Sequence, residues 1–182
     1  ALRTAINTQL RELGGEKAYA RRLQPWLDAA ASGGQGAARD LAALIDERLA
    51  LVTEVARYKW NTGAAIEDPP REQALLASLR ERAAPLGVPQ ALVERFFTAQ
   101  IEAAKQLQRE LHARWKQQRR EKFTGIADLA TSIRPGIDRV TGEMLDALAR
   151  LNSSPSTLPA ASTIAGISAA AVRTARAPLS GQ

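Results

Sequence analysis

Apolar residues recur along the chain at three- and four-residue steps, the spacing that lines one face of a helix. Leu2, Ile6, Leu10 and Leu13 predict a first helix over 2–13, ended by Gly14-Gly15. A second stretch over 16–31 is predicted to be interrupted by Pro25 and closed by the run Ser32-Gly33-Gly34-Gln35-Gly36. The strongest pattern covers 37–60, through Leu41, Leu44, Ile45, Val52 and Val55. A loop over 61–70 carries Gly63 and the Pro69-Pro70 break, and a helix over 70–83 follows through Leu75, Leu76 and Leu79. Beyond the turn at Pro85-Leu86-Gly87, Pro89 opens a long helix to about 122, with Val93, Phe97, Ile101, Ala104, Leu111 and Trp115 on one stripe. Gly125 is expected to break it. A shorter helix over 136–150 follows Arg134-Pro135, then a Ser/Pro-rich loop over 152–162 and an Ala-rich final helix over 163–176. Every element is helical and no internal repeat is evident. The expected fold is therefore all-α, a bundle of about six helices with one long core helix.

Composition agrees with helices and removes several kinds of chemistry. The 182 residues suffice for one domain with a real core. Aromatics make up only 4%, while unbranched residues that lose little rotamer freedom in a helix are abundant. No run of eighteen apolar residues occurs, so no membrane span is expected. No basic start followed by an apolar run is present, so no signal peptide is expected in the chain, although a matured chain would look the same. With no cysteine, thiolate catalysis, disulfides and cysteine-bound zinc are excluded. One histidine, His112, offers weak support for base catalysis and reads as a boundary residue. No carboxylate cluster stands at ligand spacing, so neither a metal nor a cofactor is expected. The net charge of +6 suits an anionic partner without choosing among a small acid, a nucleic acid and a membrane surface.

Some charges fall on faces that a plain bundle would keep apolar. Arg48, Val52, Val55 and Lys59 step by four, three and four residues, and so share a stripe. Arg48 and Lys59 are eleven residues apart, within roughly 20° of one another about the axis and roughly 16 Å along it. Two such cations could embrace a small anion from both ends; equally, both could lie at the edge of the stripe and snorkel to water. Gln108 stands at i+4 from Ala104 and i+7 from Ile101, placing an amide on a line of small and apolar residues. If buried, it needs a partner, either a neighbouring side chain or a ligand oxygen. Trp26, Trp60 and Trp115 read as core.

These residues together resemble a known family. The run Ile45-Asp46-Glu47-Arg48-Leu49, then Tyr58-Lys59-Trp60, then Ile66-Glu67-Asp68-Pro69-Pro70-Arg71-Glu72 is similar in type and spacing to the all-helical chorismate mutases. Arg95-Phe96-Phe97 and Gln100-Ile101-Glu102 fit that family's last long core helix, so the resemblance covers about 37–118. The later segment with Asp128-Leu129, Arg134, Ile137-Asp138 and Met144-Leu145 resembles the secreted subclass, which builds its active site within one chain. The resemblance thus implies an N-terminal helical extension over 1–36 and a mutase domain over 37–182, with core helices over 37–122 and a C-terminal segment over 123–182. It also implies a periplasmic or secreted location and a place in the shikimate pathway of aromatic amino acid biosynthesis.

The implied reaction is the Claisen rearrangement of chorismate to prephenate, which is unimolecular and needs no nucleophile, base, metal or cofactor. Arg48 and Arg134 would grip the two carboxylates of the substrate, since a guanidinium meets a carboxylate with two bonds. Lys59 would bond a carboxylate and the ether oxygen, and Gln108 would donate to the same oxygen. By the same likeness, Glu72 and the backbone at Asp68 would hold the ring hydroxyl, with Arg71 supporting the pocket. Ala104 stands where the family usually has serine or threonine, so one bond to a carboxylate is expected to be missing. Many secreted members carry glutamate where Gln108 stands. The first 36 residues match nothing in the family and either cover the bundle or pair chains as a homodimer.

Three other readings stay open at this stage. An isochorismate-pyruvate lyase shares the fold and the cationic pocket. A basic helical module could bind nucleic acid through Lys116, Arg119, Arg120 and Lys122, although one such cluster without interleaved aromatics usually marks a solvated helix end. A mutase-like scaffold without activity is the third. The mutase reading itself expects neither nucleic acid nor membrane as partner.

Overall fold

A computed structural model describes residues 16–161 and 166–179. Among them are five α-helices and no strands: α1 (Glu16–Thr62), α2 (Pro69–Ala83), α3 (Gln90–Gln117), α4 (Arg134–Ser153) and α5 (Ala169–Arg176). The all-α expectation therefore holds, and the helix expected over 2–13 lies outside the described residues. No helix among them is long and apolar enough to cross a membrane.

α1 packs against α4 and α3, and α3 also carries α2 and α5. The shared core includes much of the predicted stripes and further residues beside them. α1 contributes Leu41, Ile45, Leu49, Val52 and Ala56; α3 contributes Val93, Phe96, Phe97, Leu107, Leu111 and Trp115. α4 adds Val140, Met144, Leu145 and Leu148, and α5 closes the far side with Ala171, Val172 and Ala175.

The clearest departure concerns the glycine run. The expected break over 32–36 does not occur, and α1 continues through Pro25 and through Gly33, Gly34 and Gly36 as one 47-residue helix. Each of these residues disfavours a helix by itself. At Gly34 a tertiary contact explains the residue: the helix is buried there, and a methyl group would run into the Ser154 carbonyl and crowd Ser156. That glycine admits a crossing chain rather than ending a helix.

α3 stops at Gln117, not near 122, and Arg119 takes a left-handed φ of 50°. The chain then folds back onto α1, where Asn61 exchanges two 2.8 Å hydrogen bonds with the backbone of Phe123. The Phe123 ring lies 4.7 Å from Trp115. Near the C-terminus, α4 begins at Arg134 and runs to Ser153, three residues past the expected end. A π-helical turn, Leu129–Ile133, precedes it and was not foreseen. α5 starts at Ala169, capped by Ser168, later than expected: residues 166–168 are not helical, and 163 itself lies outside the described residues.

Candidate active site

α1, α2, α3 and α4 enclose a cavity of about 460 Å³, with Leu129 of the π turn at its rim. Arg48, Lys59, Asp68, Arg71, Glu72, Ala104, Gln108 and Arg134 all line it, so the residues expected at the site from the family likeness come to one place. They arrive from all four helices and the loop before α2, each for a local reason.

Arg48 and Lys59 reach the cavity because three helical turns return them to one face of α1, with Val52 and Val55 between them. Arg48 is only 5% exposed, which rules out the snorkelling alternative for it. Its Nη1 donates to the Gln100 backbone carbonyl at 3.1 Å, while its Nε is buried without a partner. Burial pushes its pKa down to about 10, with the Asp138 carboxylate opposing that shift. It therefore stays charged at neutral pH. The Lys59 ammonium donates to the Ile66 carbonyl at 2.8 Å. Burial lowers its pKa, and the positive charge of Arg134 pushes the same way, against Asp68, Glu67 and Glu72.

Asp68 is the N-cap of α2, accepting from the Arg71 backbone N–H, with Pro69 and Pro70 in the first turn. Glu72 reaches back so that its Oε1 accepts from the Asp68 backbone N–H at 3.4 Å. The cap therefore fixes Asp68, Arg71 and Glu72 along one wall. Arg71 pairs with Asp138 of α4 at 3.4 Å. Arg134 is placed by the turn before α4, whose N-cap Asp128 accepts from the N–H groups of Ala130 and Thr131.

Gln108, also 5% exposed, donates through Nε2 to the Ala104 carbonyl one turn earlier, at 3.1 Å. That bond fixes which end of the amide is nitrogen. Its Oε1 is buried without a partner.

Four further lining residues were not assigned to the site from the sequence. Lys105 bonds Glu72 at 3.2 Å and Glu102 at 2.7 Å. Asp138 faces Arg71, and Thr141 of α4 and Arg82 of α2 also line the cavity. Spacing held a signal for two of them: Lys105 is four residues from Ile101, and Arg82 is eleven from Arg71. Both are cations on mixed faces, which usually means solvent.

Residues set aside on sequence grounds lie elsewhere. His112 is half-buried, its Nε2 2.9 Å from the Ala56 carbonyl, and it sits in an aromatic cluster with Trp60 and Trp115. The side chain of Trp26 lies outside those described. Lys116, Arg119, Arg120 and Lys122 are exposed at the end of α3. Among the described residues no group of histidine, aspartate and glutamate could hold a metal ion.

The cavity carries six cationic side chains against three carboxylates, so it favours a small anion. The sequence profile described as chorismate mutase type II matches residues 38–109, the stretch that supplies Arg48, Lys59, Asp68, Arg71, Glu72 and Gln108. The crystal structure of chorismate mutase from Burkholderia thailandensis is 34% identical, with a TM-score of 0.66, and the match covers 79% of this chain and 98% of that one. The chain belongs to the type II chorismate mutase family. A secreted chorismate mutase of Mycolicibacterium smegmatis is 32% identical over 116 residues, 62% of this chain. This member of the chorismate mutase family spans 64% of the length of that curated relative. The secreted chorismate mutase of Yersinia pestis shares the fold, with a TM-score of 0.66 at 23% identity over 77% of this chain and 94% of that one.

Proposed function

We propose that this protein is a chorismate mutase, rearranging chorismate to prephenate inside the cavity between α1, α2, α3 and α4. One observation carries the reading: Arg48, Lys59, Gln108 and Arg134, from three helices, line one cavity, and the buried Nε–H donor of Arg48 is left unpartnered. In the rearrangement the ether C–O bond breaks as a C–C bond forms within the same molecule. Catalysis then consists of holding the compact conformer and stabilising charge on the ether oxygen.

Arg48 and Arg134 hold the two carboxylates. Lys59 reaches a carboxylate and the ether oxygen. The second N–H of Gln108, the one not used by Ala104, donates to that oxygen. Glu72 and the backbone at Asp68 take the ring hydroxyl, and Arg71, braced by Asp138, supports the wall. Ala104 brings no hydroxyl. On this reading residues 37–182 form the mutase unit and 1–36 an extension to it. The secreted relative supports export of this protein as well.

Purified protein incubated with chorismate tests the reading. Loss of chorismate with matching prephenate is expected; no turnover, or salicylate from isochorismate instead, would overturn it.

A further inference from the structure

We propose that Arg82 is a substrate-contacting cation at the mouth of the cavity, seated by the missing side chain of Gly142, where it takes a carboxylate of the incoming dianion. The inference rests on the mutase reading and adds a contact to it.

Gly142 lies buried within α4. Glycine there costs about 1 kcal/mol of helix stability relative to alanine, and its φ is not positive, so the backbone does not call for it. The need is steric. A Cβ built at Gly142 would stand 2.9 Å from Nη2 of Arg82, and the next nearest atoms, Cζ and Nη1 at 3.9 Å, belong to the same guanidinium. The absent methyl leaves the space in which that guanidinium rests against α4.

The cation seated there is not neutralised. Within the same cavity wall Arg71 pairs with Asp138, and Lys105 with Glu72 and Glu102. Arg82 makes no side-chain hydrogen bond or ion pair among the described residues. Two more unsatisfied groups line the same cavity. Thr141, next to Gly142, is 2% exposed with its Oγ1 unpartnered, and the Nε of Arg48 is buried and unpartnered. Buried polar groups seldom go without partners, and a guanidinium lining the same cavity matches a carboxylate. Arg82 is itself exposed, so it can meet the anion before the deeper groups do.

The test is a double-mutant cycle on the full chain with chorismate as the probe. Arg82→Met should raise KM roughly three- to fivefold, the scale of one partly exposed charge contact, with the loss in kcat/KM arising mainly from KM. The difference from wild type should shrink as salt is added. Gly142→Ala should raise KM in the same direction while keeping or raising the melting temperature, since alanine favours the helix and only a flexible guanidinium must move. Gly142→Ala should then add nothing to Arg82→Met. An unchanged KM in Arg82→Met would overturn the proposal. So would a KM effect indifferent to salt, a loss confined to kcat, or a Gly142→Ala effect that persists undiminished without Arg82. If wild-type protein leaves chorismate untouched, the mutase reading itself fails, which is a separate result.

Discussion

Arg48 of α1 donates to the backbone carbonyl of Gln100 on α3, so a cation from one helix is aimed by the main chain of another. Gln100 is itself fully buried, and its Nε2 donates to the Ala175 carbonyl at 2.7 Å. Beside Ala175, Arg176 donates to the Pro159 carbonyl at 2.8 Å and approaches Asp46, two residues before Arg48, at 3.5 Å. Three segments distant in sequence thus meet behind one guanidinium.

Removing that guanidinium should separate activity from stability. Its pKa is lower in the folded protein than its ordinary value, so the unfolded chain holds the proton more tightly. Below about pH 10 the charge therefore works against folding. Arg48→Met should lower kcat/KM by about a hundredfold or more, yet melt at or above the wild-type temperature. Steady-state kinetics with thermal unfolding checks both; retained turnover would remove Arg48 from the site.

Beside Arg48, Lys59 should help set the alkaline limit. It acts as a cation, and burial lowers its pKa, so activity is present below that value and falls as pH rises through it. The fall should come earlier than for an ordinary lysine, whose pKa is about 10.4. Lys59→Ala should lose most activity with circular dichroism unchanged. A profile flat beyond pH 11 would contradict this assignment.

Gln108 should make the acid side flat, because an amide donates at any pH. Gln108→Glu should donate only when protonated, confining activity to acidic pH and removing it as the carboxyl titrates. Rate profiles of the two proteins between pH 4 and 8 decide the matter. Parallel curves would show that this side chain does not donate in the reaction.

Ala104 lines the cavity where a hydroxyl could meet a carboxylate. Ala104→Ser should lower KM by about threefold, the worth of one modest hydrogen bond. A raised KM would place the substrate away from this position.

Gly34 answers to stability alone, since it lies outside the cavity. Gly34→Ala would force apart α1 and the chain at Ser154, whose carbonyl is backbone and cannot turn aside. A loss of about 1–3 kcal/mol in chemical denaturation is expected, with KM unchanged. An unaltered midpoint would mean that the crossing relaxes freely.

Helical periodicity alone determined the all-α class, the stripes of α2, α3 and the second half of α1, and the sharing of a face by Arg48 and Lys59, because these depend on neighbours within a turn or two. Spacing also carried the likeness to a family, and through it the whole set from Arg48 to Arg134. Tertiary packing decided the rest. Gly33, Gly34 and Gly36 read locally as a helix end, and only the crossing at Ser154 shows why Gly34 sits inside a continuous helix. Arg82 and Gly142 are sixty residues apart, so no local pattern links a missing methyl on one helix to a guanidinium on another. Burial is likewise a property of the assembled chain: the same side chain snorkels or is held inside according to what packs above it, and that put Arg48 and Gln108 into the cavity wall.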